Sequence, residues 1–281
     1  MNLDNPDITV VVLTYNRAGM LRQALATLVN QVTDDQFSFE ILVVDDGSTD
    51  NTTAVVREVS ESAGALLVRY LYKDHGGEGD SRNKGVAAAL GQWVVFCDDD
   101  QLADPRWLAE LYQIARETGA RCVDGAVYLK LPQRSSFELT PKVRRIFGEK
   151  TPQGYGPYST RDTVGAGNIL IHKSLFNHVG GFDPTFRQGV DTDFFWRVEK
   201  QGIKIRFAPQ ARIHHIIPHL RLNFPYLRES CLRQGFAYAR LLLKYEGPGR
   251  LALAGSWRMA VALGRDLPLM LGGGFCTSPP G

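Results

Sequence analysis

The sequence has no run of eighteen or more apolar residues, the length a helix needs to cross a bilayer, so nothing in it spans a membrane as written. Its start, Met1 to Asp7, is short and polar, so no secretory signal is expected. Cysteine is scarce. Cys97, Cys122, Cys231 and Cys276 lie far apart, and no two have the spacing of a zinc site or a redox pair. Cys97 and Cys122 sit in apolar strand patterns and read as small core residues. The expected setting is reducing and cytoplasmic. Internal repeats and low-complexity tracts are missing, as is the glycine-rich fingerprint of a dinucleotide-binding dehydrogenase: the first strand runs instead into Thr14-Tyr15-Asn16-Arg17.

Charge of neither sign dominates. The 281 residues carry a formal +2, with 44% hydrophobic and 22% charged side chains, an ordinary soluble globular balance. The length suits one large domain, or one with an appendage. No nucleic-acid partner is expected. The small net charge is unevenly divided. From Pro218 onward eight basic residues face three acidic ones, a net +5 that leaves −3 for residues 1 to 217. We therefore divide the chain into a body, 1–217, and an extension, 218–281.

What the chain does have is a buried strand that ends in acid. Trp93-Val94-Val95-Phe96-Cys97 runs without a break into Asp98-Asp99-Asp100. The apolar run reads as a strand covered on both faces. Two carboxylates about 4 Å apart repel by ~4 kcal/mol near a protein surface, so three together call for a cation. In open α/β sheets the carboxyl ends of strands are also where ligands bind. Asp104-Pro105 reads as the cap of the following helix, which leaves Asp98 to Asp100 free of that duty.

The rest of the chain builds a frame around this strand. Ile8 to Leu13 is a strand, and Leu21, Ala24, Leu25, Leu28 and Val29 mark one face of a helix. Phe39 to Val44 is a second strand, also tipped with acid at Asp45-Asp46, and Gly47 to Asp50 offers a turn and a helix cap. A helix with Val55, Val56, Val59 and Ala63 inside, and a strand from Leu66 to Tyr72, follow. Gly76 to Gly85 places glycines before a helix that holds Arg82 and Lys84, an approach suited to phosphate. The alternation predicts a mostly parallel, doubly wound sheet. Trp107, Leu108, Leu111, Ile114 and Ala115 form another helix face, and Cys122 to Leu131 another strand. Periodicity fails from Pro132 to Val164, which reads as a mobile loop over the site. Asp191 and Asp193 open a helix that ends near Gly202. Ile203 to Phe207 and Ala211 to Ile213 read as two strands that lead to His214-His215, either of which suits a metal.

Six segments, in this order, resemble the family 2 glycosyltransferases of the GT-A fold over roughly residues 7 to 216. Val11 to Arg17 looks like the opening strand and nucleotide loop, and Val43 to Asp50 is similar to the base-binding turn. Ser81-Arg82-Asn83-Lys84-Gly85 matches the segment before the acidic motif, and Phe96 to Asp100 matches the Asp-x-Asp motif itself. Gly180-Gly181-Phe182-Asp183 and Asp191-Thr192-Asp193 resemble the acceptor-side elements. The family often has Glu-Asp where this chain has Val190-Asp191.

The resemblance implies an α/β fold, a Rossmann-like nucleotide-sugar-binding sheet flanked by helices, followed here by a helical extension. It implies an inverting transfer from a nucleotide-diphosphate sugar, UDP-linked for preference, to a hydroxyl of a saccharide or lipid-linked acceptor. Donor contacts would come from Thr14, Tyr15, Asn16, Arg17, Asp46, Arg82, Asn83, Asp98 and Asp99. Asp46 can accept the imino proton of uracil or guanine. Asp98, Asp100 and His215 would hold Mn2+ or Mg2+, which neutralises the leaving diphosphate. Asp191 would be the general base. The Gln-x-x-Arg-Trp motif of processive relatives is missing, so single additions are expected. A nucleotide-sugar binder without activity is the competing reading, supported by the lost acid at position 190.

The extension is expected to form helices over Pro225 to Tyr245 and Leu251 to Leu263. Its charge, Trp257 and the apolar Leu267 to Leu271 suit a peripheral contact with anionic lipid at the inner face of a membrane. Packing on the body or on another subunit is the other reading.

Overall fold

The computed structural model describes residues 5–133, 139–152 and 165–261, without the side chains of 257–261. The chain forms two compact units, Met1–Cys231 and Leu232–Gly281. The first holds an eight-stranded sheet in the order β3-β2-β1-β4-β7-β6-β8-β5.

One half of the sheet is parallel. β1 (Ile8–Thr14) lies between β2 (Phe39–Asp45) and β4 (Trp93–Asp98), and β3 (Val68–Tyr72) extends β2. These strands are buried β-branched and apolar runs because helices cover them, as parallel strands require. α1 (Ala18–Leu28) buries Leu21, Ala24, Leu25 and Leu28, and α2 (Thr52–Ser62) buries Thr52, Val55 and Val56. α3 (Glu78–Ala88) approaches β1 so closely that a Cβ at Gly85 would come within 2.6 Å of Val11 Cγ1. The chain runs β1, β2, β3 in one direction and returns to place β4 on the other side of β1. The crevice at that reversal is where such sheets bind ligands.

The other half mixes directions. β7 (Asn168–His172) pairs antiparallel with β4 and with β6 (Cys122–Lys130). β8 (Arg206–Ile216) runs parallel to β6, and the short β5 (Gln101–Ala103) pairs antiparallel with β8, Gln101 opposite His215. The two short strands expected near the end of the body are one strand. The ladder breaks between Gly125 and Ala126, where β8 bulges through Pro209, a residue with no N–H to donate.

α4 (Trp107–Thr118) buries Trp107, Leu108, Leu111 and Ala115 as its pattern predicts, but Asp104 does not cap it. The residue before the helix is Arg106, without a side-chain cap, and the Asp104 carboxylate meets His214 Nε2 at 2.9 Å. The irregular stretch after β6 contains α5 (Pro141–Ile146), started by Thr140, whose hydroxyl accepts from Val143 N. Lys150 then bridges to Val127 of β6 and pairs with the buried Asp124. A loop expected to move is, over 139–152, docked on the sheet. Phe137, Tyr155 and Tyr158 lie outside the described residues. α6 (Ser174–Val179) and α7 (Val190–Lys200) follow β7.

Leu222 and Leu227 pack with Phe147 and Ile217, so the start of the presumed extension belongs to the first unit. The helices beyond the body are α8 (Phe224–Tyr245) and α9 (Gly247–Val261). Gly247, at φ 82°, separates them, and α9 begins there rather than at Leu251 because proline at position 248 fits a first helical turn. No helix of the described residues is long and apolar enough to cross a membrane. The side chain of Trp257 and the segment Leu267 to Leu271 lie outside the description.

Candidate active site

The three aspartates after β4 have three different environments. Asp99 turns back to β1: Thr14 Oγ1 donates to its Oδ2 at 2.9 Å, and Arg17 Nη1 to its Oδ1 at 3.0 Å. Asp100 faces β8 and the turn after it. Its Oδ2 lies 3.3 Å from Arg17 Nη1, 3.5 Å from His215 Nε2 and 3.5 Å from Arg221 Nη1. Burial would raise the Asp100 carboxyl, but His215 and the two arginines hold it below the usual range. Asp98 has much weaker compensation. Its backbone N–H and its Oδ2 close a ring with the Gln101 amide, at 3.0 and 3.2 Å, while Arg82 stays 4.0 Å away. Burial raises this carboxyl, Arg82 offsets part of that, and Asp100 and Glu78 add to it, bringing it to about 7. Gly167 of the facing loop leaves room for it. A Cβ there would sit 2.3 Å from Asp98 Oδ2.

His215 closes the far side of Asp100. Its Nδ1–H donates to the Phe147 carbonyl at 2.9 Å, which leaves Nε2 turned to Asp100. Burial lowers this imidazole, but the adjoining Asp100 raises it more. Of the two adjacent histidines, His214 points away to Asp104.

The acid after β2 is of another kind. Both Asp46 oxygens are occupied, by Gly76 N–H at 2.9 Å, Gly77 N–H at 3.0 Å, His75 Nδ1 at 2.8 Å and the Lys73 ammonium. Burial would raise the Asp46 carboxyl, and the glycine amides and Lys73 pull it below the ordinary range. The glycine N–H groups that suit a phosphate in the sequence are thus committed to a carboxylate. Asp45 accepts from Ser48 N–H at 2.8 Å and Tyr70 O–H at 2.6 Å. Asn16, at φ 52°, ties its own loop to the next: its Oδ1 accepts from Thr49 N–H at 2.8 Å. Its side chain latches two loops through that oxygen. Tyr15 stacks on His75 with ring centres 4.5 Å apart, beside Asp46.

Across the crevice, Asp191 stands in the first turn of α7. Its Oδ1 accepts from Thr192 N–H at 2.8 Å and its Oδ2 from Ala166 N–H at 3.3 Å. Burial raises its carboxyl, and Arg82 offsets part of the rise. Asp193 is fully buried on Arg197, at 3.0 Å, and has a structural task. Asn83 does as well: its amide donates to the Phe182 carbonyl and accepts from Phe182 N–H, both at 2.8 Å. It pins the turn at Phe182. Arg82 is buried over the rings of Phe96 and Phe182, with one nitrogen on Glu78 at 2.6 Å. Its Nε and Nη1 are buried without a hydrogen-bond partner among the described residues.

These side chains line two cavities. One, of about 490 Å³, runs from Tyr15, Asp46 and His75 past Asp98, Asp99 and Asp100 to His215 and Arg221. The second, of about 270 Å³, holds Arg82, Lys150, Gly165, Gly167 and Asp191. Glu78, Asp98 and His215 line both. Sequence reasoning missed Lys73, His75, Glu78, Gln101 and Arg221. Glu78 had a signal, since it stands one helical turn before Arg82. Arg221 was hidden among the charges of the extension.

The sequence profile of Glycosyl transferase family 2 matches residues 9–180, more than half of the chain. The chain belongs to glycosyltransferase family 2. It is 31% identical over 219 residues to the pre-mycofactocin glycosyltransferase of Mycobacterium tuberculosis, a match that covers 74% of this chain and 42% of that protein. It is 26% identical over 278 residues to the succinoglycan biosynthesis protein ExoM of Rhizobium meliloti, covering 96% and 83%. Among solved structures it resembles the mannosyltransferase PcManGT of Pyrobaculum calidifontis in complex with GDP-Man and Mn2+, with a TM-score of 0.59, 17% identity, and coverage of 92% and 81%. S. aureus TarS 1-349 in complex with UDP is similar too, with a TM-score of 0.56, 19% identity, and coverage of 84% and 65%. These structures share the fold of this family 2 chain.

Among the described residues no group of three or more His, Cys, Asp and Glu side chains forms a ready-made metal cage. The donor set still has the chemistry for a hard divalent cation completed by a ligand. Asp100 and His215 stand side by side, the imidazole is oriented by Phe147, and Asp98 repels its acidic neighbours. Such cations often take one or two carboxylates and draw their other ligands from phosphates and water.

Proposed function

We propose that this family 2 glycosyltransferase moves one sugar per encounter from a nucleotide-diphosphate sugar, UDP-linked for preference, to a hydroxyl of a saccharide or lipid-linked acceptor, with inversion. The observation that carries this reading is a pair of cavities that share Glu78, Asp98 and His215 in their walls. A nucleotide fits the longer one, with its base at Tyr15, His75 and Asp46 and its diphosphate at Asp98 to Asp100. An acceptor fits the shorter one, where Asp191 stands. The sugar would lie where Glu78, Asp98 and His215 serve both.

Asp191 would take the proton of the acceptor hydroxyl. Its raised carboxyl makes it a better base than an ordinary aspartate, and the Thr192 and Ala166 amides orient it. The acceptor oxygen then attacks the anomeric carbon from the face opposite the diphosphate, and no covalent enzyme intermediate forms. Asp100 and His215, supported by Asp98, would hold Mn2+ or Mg2+. When bound, that ion supplies neutralising charge to the departing diphosphate. Arg82, in the wall of the smaller cavity and 4.0 Å from Asp98, would contact the donor sugar where the two cavities share residues. Asp46 would read a base only by giving up one of its present donors.

We also propose a peripheral membrane contact through residues 218–281, supported by their net +5 and by exposed Leu232, Phe236 and Leu243 on α8. It would bring a lipid-linked acceptor to the site from the cytoplasmic side. Co-sedimentation with anionic but not neutral vesicles, weakened by 300 mM salt, is the expected result.

A thermal-shift screen of nucleotide sugars with Mn2+ tests the main proposal. A donor at 100 times its dissociation constant stabilises by about 2.7 kcal/mol. No shift with any UDP- or GDP-sugar would sink it.

A further inference from the structure

Arg221 stands on the 3-10 turn His219–Arg221, just past β8, and enters no step described so far. Its Nη1 is 3.5 Å from Asp100 Oδ2, an oxygen that also has Arg17 Nη1 at 3.3 Å and His215 Nε2 at 3.5 Å. Good charge-assisted hydrogen bonds between nitrogen and carboxylate measure about 2.7–2.9 Å. Three cationic or potentially cationic groups therefore share one oxygen at longer range. Arg17 has a closer partner in Asp99, at 3.0 Å. For Arg221 the other close group is a ring: its guanidinium carbon lies 5.9 Å from the centre of Tyr226. Tyr226 stacks on Phe147, ring planes 8° apart, and the Phe147 carbonyl orients His215. Arg221 is thus aimed by a packed wall, lines the 490 Å³ cavity, and keeps 21% of its side-chain surface open.

We infer that Arg221 is the leaving-group residue of this enzyme, the guanidinium that binds the outer phosphate of the nucleoside diphosphate. The inference rests on the transfer reading above. In the step, the acceptor O–H gives its proton to Asp191 and its oxygen bonds to the anomeric carbon. The bond from that carbon to the phosphate oxygen breaks, and the electron pair stays on the phosphate. The diphosphate gains one negative charge at the end of the cavity where Arg221 stands. A planar fork of N–H groups suits two phosphate oxygens better than it suits one carboxylate oxygen at 3.5 Å. The alternative is that Arg221 only balances the charge of Asp100.

The test compares UDP, UMP and uridine, and GDP, GMP and guanosine, by calorimetry, each with chelator and with Mn2+. Wild type, Arg221→Gln, Arg221→Lys and the exposed control Arg228→Gln are used. Wild type is expected to bind one diphosphate at least tenfold more tightly than its monophosphate. Arg221→Gln should lose about tenfold on that diphosphate and less than twofold on the monophosphate and nucleoside. Arg221→Lys should fall between, and Arg228→Gln should match wild type. Equal losses on all three ligands, or no loss on the diphosphate, would overturn the inference and leave Arg221 a structural counter-charge. If wild type binds diphosphate, the transfer reading survives either result. If it binds no nucleotide at all, that reading falls and this one falls with it.

Discussion

Two buried apolar strands of this protein end in acid, and the two ends are opposite in character. After β2, Asp46 is surrounded by donors: two glycine amides, Lys73 and His75. After β4, Asp98 has one side-chain amide and a guanidinium 4.0 Å away. The first carboxyl is held below its ordinary range and the second is pushed up to about 7. In the sequence both read as a valine-rich strand followed by aspartates. The difference comes from what the rest of the chain brings. The segment 73–77 folds over β2 and satisfies its acid within the protein. Around β4 the cations collect on Asp99 and Asp100, and Asp98 remains at the junction of two cavities. A satisfied acid builds the fold, whereas an unsatisfied one is available to a ligand. Strain of this sort concentrates at functional sites.

The largest expected effect lies across the cavity from the open end. Asp191→Asn should lower transfer by about 10²–10⁴-fold while the donor dissociation constant stays within about twofold. Because the carboxyl is raised and works only when ionised, wild-type kcat/KM should climb with pH through a limb above the ordinary aspartate value of about 4. That limb should vanish in the variant. Wild-type turnover would remove Asp191 as the base, and Asp193, sealed in its pair with Arg197, is not a replacement.

Next in size is Asp100→Asn. Transfer should fall about 10²-fold and lose its response to Mn2+, measured as rate against metal concentration. Full activity in excess chelator would show that the open end serves something other than a cation.

The closed end should respond in stability. Asp46→Asn removes one of the two carboxylates on Lys73, leaving Asp80 at 3.0 Å, weakens the bonds from the glycine amides, and should cost about 1–3 kcal/mol in denaturant unfolding. A depressed carboxyl contributes stability above its unfolded value of about 4 and loses it as pH falls through its lower folded value. Wild type should therefore lose an increment of Tm below about pH 4 that the variant never had. An unchanged Tm would mean that the four contacts to Asp46 carry no weight.

The smallest effect has the opposite sign. A raised carboxyl stabilises the fold fully below about pH 4, and that contribution is lost as pH rises through about 7. Asp98→Asn should thus raise Tm at pH 8 in chelator by about 1–2 °C, a small figure because solvent screens a side chain that is 37% exposed. The gain should disappear at pH 4. A loss of Tm at pH 8 would erase the contrast between the two strand ends.

Local pattern was enough for the parallel half of the sheet. Its strands are short apolar runs, its helices have clear faces, and two of its three strand pairs, β1–β2 and β2–β3, join neighbours in sequence. The acids at the strand ends were legible for the same reason, because a buried run that stops at aspartate needs no distant partner to be noticed. The mixed half was less legible. Pro209 hid the continuity of β8, and α5 was lost in a stretch rich in glycine and proline. Asn16 and Asn83 stand in motifs that suggest ligands, yet their amides close on the backbones of other loops, 33 and 99 residues away. Residue types and strand order set where charge could collect at the crevice. Which of those charges stay unsatisfied depended on long-range approach: Gly76 and Gly77 to Asp46, His215 and Arg221 to Asp100, and the Phe147 carbonyl to His215. Electrostatic energy varies with distance and burial, and neither is written in the order of the residues.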